Sequence, residues 1–154
     1  MKIDVFNHFT PKAVYERFKS IAPDNPGLKA FGAVPALWDL DAHLKLMEGF
    51  DDYRQILSLA NPPIELLATP DRSPQLAAFA NDALAAVCEK HRDLFPAFAA
   101  SMPMNNPDAT IKEAHGDVRF AAHYGLNSDI ARVRKVPKSD IDSITIRPLR
   151  WRGS

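Results

Sequence analysis

His8 is the residue of this chain best placed to do chemistry. It stands near the end of the stretch Lys2-Ile3-Asp4-Val5-Phe6-Asn7-His8-Phe9-Thr10-Pro11. Ile3, Val5 and Phe6 give this stretch the apolar character of a buried strand, and Asn7 and His8 form its polar tip. Thr10 is a candidate N-cap and Pro11 suits the first helical position. In sheets built from βα units, chemistry collects at the C-terminal ends of strands. An imidazole there is a candidate metal ligand or acid–base group. Side chains alternate along a strand, so Asn7 is expected to point away from His8 and to act as a structural hydrogen-bonder.

Four more residues follow later strands at the same end. Ser58 and Asn61 come after the second, and Met104 and Asn105 after the third; all four are candidates for lining a pocket. Asparagine beside proline is first of all a turn residue, which weighs against Asn61, before Pro62. His43, His91, His115 and His123 show no ligand spacing on a clear element, so each is expected to be structural. His91 falls in the last turn of an expected helix, where a cation meets the helix dipole favourably. Cys88 lies beside Val87 with no histidine near it in sequence and reads as a core thiol rather than a nucleophile. Asp51 and Asp52 read as a solvated turn ahead of the second strand.

The elements that must position these residues follow from periodicity and punctuation. A helix is expected over Pro11–Ala22, with Val14, Phe18 and Ile21 on one stripe. Residues 23–38, rich in Pro and Gly, read as an excursion or loop. A short helix over Asp41–Glu48 turns Leu44 and Met47 inward, with Gly49 placed to end it. Tyr53–Leu59 reads as a strand buried on both faces, as parallel strands usually are. Ala60-Asn61-Pro62-Pro63 forces a rigid exit, and Ile64–Ala68 is given one helical turn. Ser73-Pro74 opens the longest helix, Pro74–His91, with an apolar stripe of Leu76, Phe79, Ala80, Ala83, Leu84 and Val87. Phe95–Met102 is the third strand, and Asn106-Pro107 opens a helix to His115. The alternation β-α-(α)-β-α-β-α argues for an α/β fold with a parallel sheet and covering helices. Beyond Gly116 the pattern degrades; Ile141–Ile146 alternates as a strand would, and the basic end from Arg147 reads as a frayed tail.

Composition narrows the partners. The chain has 154 residues, enough for one domain that buries roughly 70% of its unfolded surface. It carries 19 Lys+Arg and 19 Asp+Glu, so nothing in its net charge favours nucleic acid or an anionic membrane. The charge is uneven: residues 1–115 hold 11 basic and 15 acidic side chains, residues 116–154 hold 8 and 4. One cysteine excludes an internal disulfide and suits a cytoplasmic protein. No apolar run approaches a membrane span and no leader pattern is present, so a cytoplasmic, soluble protein without a membrane partner is expected.

Ile3-Asp4-Val5-Phe6-Asn7-His8-Phe9-Thr10-Pro11 resembles the opening strand of the amidohydrolase-related metal enzymes. The branch it resembles most is that of aminocarboxymuconate-semialdehyde decarboxylase. Tyr53–Leu59, Leu76–Glu89 and Phe95–Met104 fit the same branch, so that the likeness spans about residues 1–115. The resemblance implies a (β/α)8 TIM barrel with a divalent metal, commonly zinc, at its C-terminal mouth. It implies hydrolysis or non-oxidative decarboxylation of a small carboxylated substrate. It also implies a His-x-His pair on the first strand, whose i, i+2 spacing turns both rings to one side. Phe6 and His8 occupy those positions here, so only His8 matches as a metal ligand.

A complete barrel takes about 250 residues, whereas three to four βα units are recognisable here. Residues 1–115 are therefore expected to be the N-terminal part of such a domain, and 116–154 a divergent tail. A truncated or frame-altered product is one expected explanation, and a naturally short variant the other. Two classes of function follow. One is an enzyme lineage, with His8 as one ligand of a metal that activates water or polarises a substrate carboxylate. The other is an inactive fragment that self-associates as a homo-oligomer through its unpaired strand edges, or needs a second chain to complete the barrel.

Overall fold

A computed structural model describes residues 1–60 and 62–113. Asn61, the expected strand Ile141–Ile146 and the tail 116–154 lie outside the described residues. The elements run β1 (Lys2–Asp4), α1 (Lys12–Ile21), α2 (Pro26–Gly32), a 3-10 turn (Pro35–Leu37), α3 (Leu40–Met47), β2 (Tyr53–Ser58), α4 (Ile64–Leu67), α5 (Ser73–Lys90), β3 (Ala97–Ala99) and α6 (Pro107–Lys112). The three strands form one parallel sheet in the order β1-β2-β3. Ile3 pairs with Arg54 in the first ladder and Leu57 with Phe98 in the second. The architecture is the α/β parallel-sheet arrangement that the alternation of elements predicts.

The middle strand organises the core. Gln55 and Leu57 are buried on one face of β2, while Arg54, Ile56 and Ser58 on the other are only half-buried. The expectation of burial on both faces is thus corrected: among the described residues, helices cover one face of the sheet. Leu57 packs there with Phe9, Met47, Leu84, Cys88, Phe95 and Phe98. A second cluster joins α1, α2, α4 and α5 through Val14, Phe18, Phe31, Ile64, Leu76 and Ala80. Gly32 closes on this cluster; a Cβ there would lie 2.2 Å from the Tyr15 hydroxyl oxygen, so only glycine lets that ring stack on Trp38.

Several local expectations change. β1 is not a buried strand: it spans three residues, and Val5 and Phe6 are 74% and 81% exposed. The Asp4 carboxylate accepts the Phe6 N–H at 2.9 Å and turns the chain out of the ladder. The expected loop over 23–38 contains α2, where the Asn25 side chain caps by accepting the Leu28 N–H and Pro26 opens the helix. Thr10 does not cap α1; Pro11 holds the N-cap position, and the Thr10 hydroxyl accepts from the Ala60 N–H instead. Ser73 lies inside α5 rather than capping it, and donates its hydroxyl to the Asn105 carboxamide oxygen at 2.6 Å. The buried stripe of α5 is rotated toward Ala77, Asn81 and Cys88, leaving Phe79 exposed. β3 is shorter than expected because the Asn81 carboxamide takes both the N–H and C=O of Ser101, groups a longer ladder would have used. Asn106 caps α6 as expected, accepting the Ala109 N–H at 3.1 Å.

Candidate active site at the strand ends

Parallel strands bring their C-terminal ends to one rim, and the residues after β1 and β2 meet there. His8 follows β1 on an irregular segment held to the end of β2 on both sides. Phe9 donates its N–H to the Ser58 carbonyl at 2.8 Å, and Ser58 donates its hydroxyl to the Asn7 carbonyl at 2.5 Å. Phe9 itself is buried in the core, which anchors the segment from below. Between these anchors the His8 ring is exposed, with Nδ1 3.1 Å from Ser58 Oγ. The Phe6 ring meets it edge-on, with centroids 5.0 Å apart. Phe6 carries no metal-binding atom, so at the first position of the expected ligand pair it offers a hydrophobic contact instead.

A cavity of about 320 Å³ opens beside His8, lined by Gly27, Ala30, Phe31, Leu37 and Ala60. Apart from His8 its wall is apolar and is built largely from α2, which a reading of 23–38 as loop misses. The Asn25-Pro26 dipeptide is the signal that finds it, since it repeats the grammar of Asn106-Pro107. A larger cavity, about 750 Å³, lies on the outer helical layer between Arg17, Ile21, Leu67, Arg72, Leu76 and Phe79. His8 does not line it, and its wall comes from helices and connecting turns rather than from the strand ends.

The other expected site residues are placed as follows. Ser58 contacts His8 directly. Met104 is 62% exposed and lines a separate small cavity of about 210 Å³ with Leu59, Pro62 and Ser101. The Asn105 carboxamide is engaged with Ser73 and with the Ala68 carbonyl, tying the turn before α6 to the start of α5. Asn61 lies outside the described residues. His43 is 4% exposed, with Nδ1 2.7 Å from the Ala36 carbonyl and Nε2 2.7 Å from Gln55 Oε1. Burial pushes the Cys88 thiol up to about 12, so it stays protonated and unreactive at neutral pH.

A catalytic metal centre takes about three protein ligands and an open position. Among the described residues no three His, Cys, Asp or Glu side chains gather to hold an ion. The described residues alone therefore do not fit a catalytic metal; His8 is a single donor. Among them, too, no helix is long and apolar enough to cross a membrane.

No protein-family model matches the chain. Individual proteins do. A gamma-resorcylate decarboxylase from Rhodococcus jostii (strain RHA1) is 35% identical over 113 residues, 73% of this chain and 33% of that protein. The decarboxylase yanB of Aspergillus niger is 35% identical over 117 residues, 73% of this chain and 30% of that protein. Among solved structures, 2,6-dihydroxybenzoate decarboxylase complexed with 2,6-dihydroxybenzoate aligns with a TM-score of 0.56 at 29% identity, over 76% of this chain and 36% of that one. A dihydroxybenzoic acid decarboxylase from Polaromonas sp. JS666, with bound manganese and the inhibitor 2-nitroresorcinol, aligns with a TM-score of 0.56 at 27% identity, over 73% of this chain and 33% of that one. The chain spans about a third of the length of the relatives it matches. Its three parallel strands and their helices are thus a partial TIM barrel. Over its N-terminal part, the homologues of this chain are gamma-resorcylate decarboxylases, members of the amidohydrolase-related family in its aminocarboxymuconate-semialdehyde decarboxylase-like branch.

Proposed function

We propose that this chain supplies the N-terminal part of the catalytic mouth of a carboxy-lyase acting on a small carboxylated aromatic compound of the hydroxybenzoate class. The observation that carries this reading is the meeting of His8 with an apolar cavity of about 320 Å³ at the strand ends, within the size range of small-molecule pockets. Phe31 and Leu37 give such a pocket an apolar wall that excludes water from a ring. His8 is the one ligand this part of the chain offers to a divalent metal, zinc or manganese. The remaining ligands come from outside the described residues. A Polaromonas relative holds manganese, which supports a divalent ion of this kind.

A second reading is favoured by the apolar side chains of Ile3, Val5 and Phe6, all exposed on or just beyond the β1 edge. In it, another chain, a second copy included, covers this edge and completes the barrel. The test is decarboxylation of 2,6-dihydroxybenzoate by the full chain with zinc or manganese, followed as carbon dioxide release. Turnover that is abolished by His8→Ala supports the proposal. A rate per chain that rises with protein concentration favours completion by a second copy. No turnover of any hydroxybenzoate under either metal sinks the carboxy-lyase reading.

A further inference from the structure

We infer that Ser58 is a positioning residue that holds His8 in its Nδ1–H tautomer, leaving Nε2 as the nitrogen with the free lone pair. Ser58 Oγ lies 2.5 Å from the Asn7 carbonyl oxygen. Two oxygens at that separation repel unless a proton lies between them, and a carbonyl has none to give. The single hydroxyl proton of Ser58 is therefore committed to Asn7. What Ser58 Oγ has left is lone pairs, and one faces His8 Nδ1 at 3.1 Å. That contact is a hydrogen bond only if Nδ1 carries the proton, so in the neutral ring Nε2 does not.

The backbone enforces the arrangement. The Phe9 N–H is bonded to the Ser58 carbonyl, so the residues on both sides of His8 are fastened to the same serine. These bonds fix the backbone on both sides of His8 beside the serine, and the Nδ1–Oγ contact is what then orients the ring. A hydrogen-bonded partner of this sort fixes the ring orientation of a ligating histidine and typically alters metal affinity 10–100-fold when lost. The inference rests on the proposed role of His8 for its functional meaning, but the tautomer itself does not depend on that role.

The test separates the two. Long-range proton–nitrogen correlation spectra of the ¹⁵N-labelled full chain, in mildly alkaline buffer without metal, report which ring nitrogen of His8 carries the proton. The expected result is a protonated Nδ1 and an unprotonated Nε2. Ser58→Ala should raise the Nε2–H population, and Ser58→Thr, which keeps the hydroxyl, should restore the original pattern. A dominant Nε2–H form in the unaltered chain, or a Ser58→Ala spectrum identical to it, overturns the inference. Added zinc should then move the Nε2 resonance and leave Nδ1 protonated, with binding about 10–100-fold weaker in Ser58→Ala. If the tautomer is as stated but zinc leaves Nε2 unmoved, the positioning role of Ser58 stands and the metal-ligand reading of His8 falls.

Discussion

Two histidines bond to side chains of the same strand, and the structure gives them opposite fates. His43 reaches Gln55, on the helix-covered face of β2, and is enclosed by the rings of Phe9 and Phe95. Both of its nitrogens meet protein oxygens, so nothing is left for a ligand. His8 reaches Ser58, three residues on and therefore on the open face, and one nitrogen is held while the ring stays exposed. The pair teaches that the parity of a strand position decides whether a neighbouring imidazole becomes core or becomes available. A histidine count in the sequence cannot make that distinction; the register can.

The comparison is first put at risk on the strand itself. Leu57→Ala removes a fully buried side chain from the helix face and should destabilise the protein by about 2–5 kcal/mol in chemical denaturation. Ile56→Ala, on the half-buried face, should cost clearly less. Equal losses would mean that both faces are packed and that the open face is covered in solution. Next come the histidines. His43→Leu removes the ring that contacts the Ala36 carbonyl and the Gln55 side chain and leaves a buried polar group unpaired, a loss of about 1–3 kcal/mol. His8→Ala, at an exposed position, should stay within about 0.5 kcal/mol of the unaltered chain. A His8→Ala loss as large as that of His43→Leu would make His8 a structural residue and remove the contrast.

Much of this was legible in the residues, and the exceptions have a common cause. The βα alternation, the order of elements and the position of His8 after the first strand all follow from apolar runs and proline punctuation. The pairs Thr10-Pro11, Asn25-Pro26, Ser73-Pro74 and Asn106-Pro107 look alike in sequence, yet of these only the asparagines, Asn25 and Asn106, cap their helices. The hydroxyls of Thr10 and Ser73 are drawn instead to Ala60 and Asn105, partners 50 and 32 residues away. A cap is a local bond of about 1 kcal/mol, and a tertiary hydrogen bond of similar size replaces it at no net loss. The same competition hid the site. In sequence the Ser58 hydroxyl reads as generic pocket lining, and its commitment to Asn7 appears only when partners 51 positions apart are brought together. The exposure of β1 is not legible because its apolar residues match a buried strand, while the turn at Asp4 ends the ladder before Val5 and Phe6 can join it.

The central proposal is that His8, and not the buried His43, offers the metal-binding nitrogen of this rim. Equilibrium dialysis of the full chain against manganese or zinc, with metal analysis of the protein fraction, tests it most directly. The account predicts bound metal that is lost in His8→Ala and retained in folded His43→Leu. Metal retained in His8→Ala, or lost in folded His43→Leu, would contradict it.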